Sequence, residues 1–261
     1  MSWEASRGRR CPRTSLALVL LGALTLPLVV RADHDGAGDP IARMDELWQG
    51  RASSEAVREL IDTGQRALES DPRSFEVTWR IARAHWWLAN VQENRTVKKA
   101  LAVKAMEWGQ RARELQTDRV EGHYTYGISV GEYATCIGIT RAIMDDIVGK
   151  FEGSMTKSYE LDPDIDNGGP MTALGRYYFV LPWPKRDLDK SRRLLEQLKE
   201  RHPDALLGRV YLAETYYESG EKDRARAELE FVIGAEPSPN AWPEQPKPKP
   251  IAKEKLAEWF A

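Results

Sequence analysis

From Glu46 to Gly234 the apolar residues recur every three or four positions, and glycines, prolines and polar clusters cut that pattern into segments. Helical spacing dominates, and no stretch alternates with the period of two that a half-buried strand requires, so the chain reads as all-α. The pattern predicts helices over Met44–Gln49, Glu55–Ser70, a stretch around Trp79–Trp87, Arg95–Leu115, Val120–Ile139 and Arg141–Leu161. Four more follow over Pro170–Val180, Leu188–Arg201, Ala205–Ser219 and Lys222–Gly234. Ser53-Ser54-Glu55 has the form of an N-terminal cap, and Asp71-Pro72 that of a stop.

The segment Leu161–Pro203 organises the rest: two short amphipathic helices joined by Pro182-Trp183-Pro184. Such a hairpin cannot bury its own apolar face and needs similar hairpins stacked beside it. They are present. Trp79, Ala82, Arg83 and Trp86 follow an aromatic, small, small, aromatic spacing. Met171, Leu174, Gly175 and Tyr178 do the same, and more loosely so do Tyr124, Gly127, Ile128 and Gly131, and Val210, Ala213, Glu214 and Tyr217. Second helices carry small or apolar residues at Ala105, Gly109, Ala112 and at Ala225, Leu229, Val232. Rings fill the space between helices, and Gly or Ala lets backbones approach. This is the tetratricopeptide spacing, and it predicts an α-solenoid of about four to five helical hairpins. The stops at Pro72, Thr117, Pro163, Pro203 and Pro237 are 45, 46, 40 and 34 residues apart, so the earlier pairs are longer than the usual period.

The ends behave differently. Residues 237–250 are proline-rich and read as an extended linker, followed by a short helix over 251–261 that caps the array. At the N-terminus, Arg7, Arg9, Arg10 and Arg13 precede an apolar run of 15 residues, Leu16–Val30, and then Val30-Arg31-Ala32. That is the form of a secretory signal peptide over 1–32 cleaved after Ala32, with an uncleaved anchor as the alternative. Residues 33–43 are expected to be flexible. Export predicts a periplasmic or secreted protein that meets the membrane only through this signal. Removing it leaves 38 − 5 = 33 basic and 40 − 1 = 39 acidic residues, a net charge of −6, which disfavours nucleic acid as a partner. Cys136 is then the lone cysteine and reads as a small buried apolar residue.

Three stretches carry a family resemblance: WRIARA at Trp79–Ala84, Gly131-Glu132-Tyr133, and DNGGPMTALGRYYFVLPWPKRDLDK at Asp166–Lys190. The chain resembles the exported T components of tripartite ATP-independent periplasmic (TRAP) transporters and, more distantly, the regulator of microtubule dynamics family. The likeness runs from about Glu46 to Pro237. It implies a periplasmic tetratricopeptide-like protein that associates with a solute-binding protein and holds a small apolar ligand.

Chemistry is hard to assemble from spacing. His34, His85, His123 and His202 form no metal pair, although His85 and His123, on neighbouring first helices, could meet. Asp162, Asp164 and Asp166 open like a calcium loop, but Asn167 and Ala173 stand where glycine and glutamate are needed. Helix stop plus N-cap is the better account of these aspartates. Gly168-Gly169 lacks the lysine of a phosphate loop and reads as a tight turn, or as amides that attract a carboxylate. No nucleophile elbow is present, so the protein is expected to be a non-catalytic binder without cofactor or metal.

The remaining functional signal is the inner wall, lined by the first helix of each pair. Positions one, five and eight after the start of each aromatic pattern give Arg80, Ala84, Trp87; Thr125, Ser129, Glu132; Thr172, Arg176, Phe179; and Tyr211, Thr215, Glu218. Arg80, Trp87, Ser129, Glu132, Arg176, Phe179 and Tyr211 are the candidate partner- or ligand-binding residues. Aromatic walls, hydroxyls and two arginines suit an apolar body with an acidic end. Alternatively Trp87 and Phe179 pack the core and the arginines are solvated.

Overall fold

The computed structural model describes residues 38–236 and 247–260. Among them there are helices and connecting turns but no strand. The helices are α1 (Pro40–Gln49), α2 (Ser54–Ser70), α3 (Phe75–Asn90), α4 (Arg95–Leu115), α5 (Val120–Ile137) and α6 (Ile139–Met144). They continue with α7 (Ile147–Leu161), α8 (Ile165–Val180), α9 (Leu188–Arg201), α10 (Leu206–Glu218), α11 (Lys222–Gly234) and α12 (Pro248–Phe260). They pair as α1/α2, α3/α4, α5/α7, α8/α9 and α10/α11, with α6 inserted in the third hairpin and α12 laid over the last. The architecture is a tetratricopeptide-like α-solenoid in which α1, α3, α5, α8 and α10 are the first helices.

Local chemistry sets most of the boundaries. Asp39, Ser53, Asn94 and Asp187 each accept hydrogen bonds from backbone N–H groups in the first turn of α1, α2, α4 and α9, replacing partners those amides cannot find inside the helix. Three prolines expected in irregular chain are helical instead. Pro40 opens α1 inside the 33–43 segment, and Pro248 and Pro250 lie in the first turn of α12 inside the 237–250 linker. A first-turn residue has no intrahelical N–H bond to lose, so proline is at home there. The expected helix over 141–161 is broken in two: Asp146 takes φ 54° between α6 and α7, and Gly138 turns α5 into α6 at φ 83°. The apolar spacing continues across Asp145-Asp146, which is why the break is invisible in the pattern. The signal segment 1–32 and residues 237–246 lie outside the described residues.

Four buried clusters run along the array. The first joins α1, α2 and α3 around Met44, Leu60, Ile81 and Trp87. The second joins α5, α7 and α8 around Val130, Met155 and Leu174. The third binds α8–α11 around Leu195, Leu198 and Leu212, and the fourth binds α10–α12 around Val210, Leu229 and Ala252. The cap helix docks with its aromatics: Trp259 stacks on Tyr217 at 4.1 Å, and Phe260 meets the same ring edge-on at 5.9 Å. Lys255 of α12 also reaches the buried carboxylate of Glu214 at 2.6 Å.

Candidate functional site: the groove between the first helices

A cavity of about 600 Å³ opens between α5, α8 and α10, with Trp86 of α3 and Pro248 of α12 also in its lining. Its walls are mostly apolar: Ile128 on α5, Ile139 on α6, Val148 and Phe151 on α7, Ala173 and Val180 on α8, and Leu207 on α10. The size falls in the range that holds a drug-sized molecule or a few side chains of a partner.

One wall is shaped by the first turn of α8. Asp166, Asn167 and Gly168 take φ of 54°, 55° and 78°, three consecutive left-handed residues that throw the chain sideways before regular helix resumes. Asp, Asn and Gly are the residues that tolerate this conformation, so the sequence DNG is suited to it. The turn carries Asp166 against α5, where it accepts a hydrogen bond from the Tyr124 hydroxyl at 2.7 Å. Gly169 lets this happen, since a Cβ there would collide with the Tyr124 hydroxyl oxygen. Burial pushes the Asp166 carboxyl above the usual range, opposed by the Tyr124 bond and the charges of Arg83 and Arg51. Behind this wall Glu152 accepts from Tyr177 at 2.9 Å and Tyr178 at 2.5 Å, fixing α7 to α8. Burial and that carboxylate push both phenols up.

Three of the seven expected residues line the cavity. Glu132 does so while paired with Lys98 at 2.6 Å and accepting from Asn90 at 3.3 Å. Arg176 pairs with Glu214 and packs over Tyr211 at 4.6 Å, so Tyr211 is in place as well. The other four lie outside the cavity lining. Arg80 is buried in a bidentate pair with Asp45, both bonds 2.8 Å, and ties α3 to α1. Trp87 is core: it donates to the Arg51 carbonyl at 2.8 Å and meets Trp48 edge-on at 5.9 Å. Ser129 is buried and donates to the Thr125 carbonyl of its own helix at 2.6 Å. Phe179 is half-buried under Arg176 and Arg186, at 5.2 and 4.8 Å.

The cause is a shift in register. On α3 the partly exposed stripe is Trp79, Arg83, Trp86 and Asn90, one residue before the expected Arg80, Ala84 and Trp87, all of which are buried. On α5 the cavity likewise takes Tyr124, Ile128, Gly131 and Thr135 in place of Thr125 and Ser129. On α8 and α10 the expected register holds at Thr172, Arg176 and Tyr211. Asp166, Trp86 and Tyr124 were therefore missed as site residues; the DNGG turn was the one signal in the sequence that marked Asp166.

The histidines do not meet. His123 bonds the Thr117 carbonyl at 2.9 Å, while His85 is buried with its Nδ1 unpartnered. The calcium-like aspartates are dispersed: Asp164 pairs with Arg201 and with His202 at 2.8 Å, and Asp162 ends α7. Among the described residues no group of three or more His, Cys, Asp or Glu could hold a metal ion, and no helix is long and apolar enough to cross a membrane.

Residues 41–181, which include α3, α5 and all of α8, match the family regulator of microtubule dynamics protein 1-3. The chain belongs to this family. Regulator of microtubule dynamics protein 3 of Rattus norvegicus is 24% identical over 211 residues, 74% of this chain and 43% of the relative. Its Mus musculus counterpart is 25% identical over 205 residues, 71% of this chain and 42% of the relative. The chain thus spans less than half the length of these curated relatives. Of the two families named from the sequence, the matched residues support this one. Among solved structures, a thermophilic TPR protein of Thermus thermophilus superposes with a TM-score of 0.57 at 17% identity, covering 84% of this chain and 96% of its own. MamA superposes at 0.50 with 14% identity, covering 83% and 97%. These two likenesses establish the fold of this family member as a tetratricopeptide-like solenoid.

Proposed function

We propose that this protein is an exported, non-catalytic adaptor that holds a partner protein in the groove of its first helices. Tetratricopeptide-like solenoids are built as interaction scaffolds, with an extended inner wall and no enclosed chemistry. The observation that carries the reading is a mostly apolar cavity of about 600 Å³ whose lining includes residues of the first helices α3, α5, α8 and α10. The basic end and apolar run read over residues 1–32 favour a periplasmic location, and with it a TRAP-type solute-binding protein as partner. The relatives' name points to microtubule dynamics, a role that an exported chain of net charge −6 does not favour here.

The test is capture from a periplasmic extract with wild type, with Ala173→Trp to fill the cavity, and with Phe231→Ala on α11 as a control outside it. A partner kept by wild type and Phe231→Ala but lost by Ala173→Trp supports the groove. A partner indifferent to Ala173→Trp removes it. The second reading, a carrier of a small apolar or acidic ligand, is favoured by the same apolar walls. Native mass spectrometry that finds only bare protein, with no thermal shift from aromatic or fatty acids, would dismiss it.

A further inference from the structure

On the groove stripe of α3, between Trp79 and Trp86, stands Arg83. Its guanidinium lies 4.0 Å from the Trp48 ring centre and 4.6 Å from that of Trp79. With indoles packed against it, the cation's remaining asset is its edge, where the N–H donors lie in plane. No acceptor in the described residues meets that edge. Nε is buried and has no hydrogen-bond partner. The nearest carboxylate, Asp45, is 4.0 Å away, beyond hydrogen-bond reach, because Arg80 holds both its oxygens at 2.8 Å. Asp166 acts on Arg83 only through space from the wall of α8 and is itself bonded to Tyr124. Burial lowers the Arg83 pKa to about 10, with the charges of Asp166 and Asp45 opposing the shift.

A buried donor without a partner is destabilising, and buried polar groups are otherwise almost always satisfied. Arg83 touches α1 through its face on Trp48, whereas the hydrogen-bonded bridge between the two helices is made by Arg80. One turn further on, about 4.5 Å along the axis, Trp86 enters the cavity wall. Arg83 therefore stands one turn before the cavity-lining Trp86, outside the lining itself, with its Nε–H uncommitted.

We propose that Arg83 is the anion-recognising end of the groove and takes a monocarboxylate whose apolar body lies along Trp86 and Ile128. This rests on the groove being a binding surface. The nearby Asp45 and Asp166 oppose a second negative charge, so a carboxylate fits and a dianionic phosphate does not. The carboxylate belongs either to the acidic end of a partner polypeptide or to a free organic acid, and the two sources are separable by experiment.

The probes are phenylbutanoate, its amide and phenylbutyl phosphate, together with a short apolar peptide carrying a free or an amidated C-terminus. Each is titrated into the whole protein with ¹⁵N-labelled arginine, following heat of binding and the Nε–H signal of Arg83, assigned by its absence in Arg83→Lys. At least one acid is expected to bind about tenfold or more tighter than its amide, the scale of a charge-assisted hydrogen bond, and to move that signal. Arg83→Gln abolishes the preference and Arg83→Lys keeps part of it, with melting curves establishing that both fold. Preference for the peptide acid alone identifies a polypeptide end; preference for phenylbutanoate identifies a free acid. Equal binding of acid and amide, an acid preference that survives Arg83→Gln, tighter binding of the phosphate, or no binding of either acid overturns the inference. Capture of a partner that Ala173→Trp blocks would leave the groove reading standing in each of those cases.

Discussion

Gly109 and Gly153 make one substitution give opposite results. Both lie inside long helices, α4 and α7, so alanine at either position gains about 1 kcal/mol from backbone propensity alone. Their surroundings differ. A Cβ on Gly109 would lie 2.7 Å from Cα and 2.8 Å from N of Tyr126, the backbone of α5, which cannot rotate away as a side chain could. A Cβ on Gly153 meets nothing within 4 Å. Forcing α4 off α5 belongs to the overpacking class, which costs about 1–3 kcal/mol, and also shifts the helix that supplies Tyr124 and Ile128 to the groove. Gly109→Ala is therefore expected to lose up to about 2 kcal/mol net, and Gly153→Ala to gain up to about 1 kcal/mol. At about 2–4 °C per kcal/mol for a domain of this size, the two melting temperatures should differ by several degrees. Thermal and urea unfolding of the pair against wild type measure it. If Gly109→Ala melts as high as Gly153→Ala, α4 and α5 are not in backbone contact and the packing argument for the whole array is wrong.

His85 is buried and neutral, its pKa lowered from 6.5 to about 4 by burial and then by Lys104. The unfolded chain therefore binds the extra proton first, so stability should fall by about 2–3 kcal/mol as pH drops from 6.5 towards 4, a slope that His85→Phe removes in denaturant titrations. Glu214 holds Arg176 of α8 and Lys255 of α12 together, so Glu214→Ala should cost about 1–3 kcal/mol and speed hydrogen exchange in α12 more than in α4. The Asp164 carboxyl, held at about 2 by Arg201 and His202, contributes stability above its ordinary range and loses it as pH falls from about 4 to 2. Asp164→Asn should flatten the acid limb of the unfolding curve there; an unchanged limb would mean that the α8–α9 link is not formed in solution.

Residues close together in the chain determined much of this protein. The spacing of apolar positions gave helices, Asn94 and Asp187 placed the starts of α4 and α9, and Gly234 placed the end of α11. The recurrence of aromatic and small positions gave stacked hairpins, because no single hairpin could bury its own face. The orientation of each helix was a different matter. Eleven of the sixteen residues of α3 are buried, from Phe75 to Ala89, so periodicity leaves almost no polar face from which to read a direction. Which side faces the groove was decided by α1, α2, α4 and α5 closing around it. That closure put Arg80 and Trp87 inside, left Arg83 partly exposed and set Trp86 on the wall. The left-handed turn at Asp166 shows the same division: DNGG permits that backbone, but only the close approach of Tyr124 across 42 residues of sequence gives it a purpose. Propensity and period are set by neighbours in the chain, whereas the direction of a side chain on a helix buried on most sides is set by what packs against it.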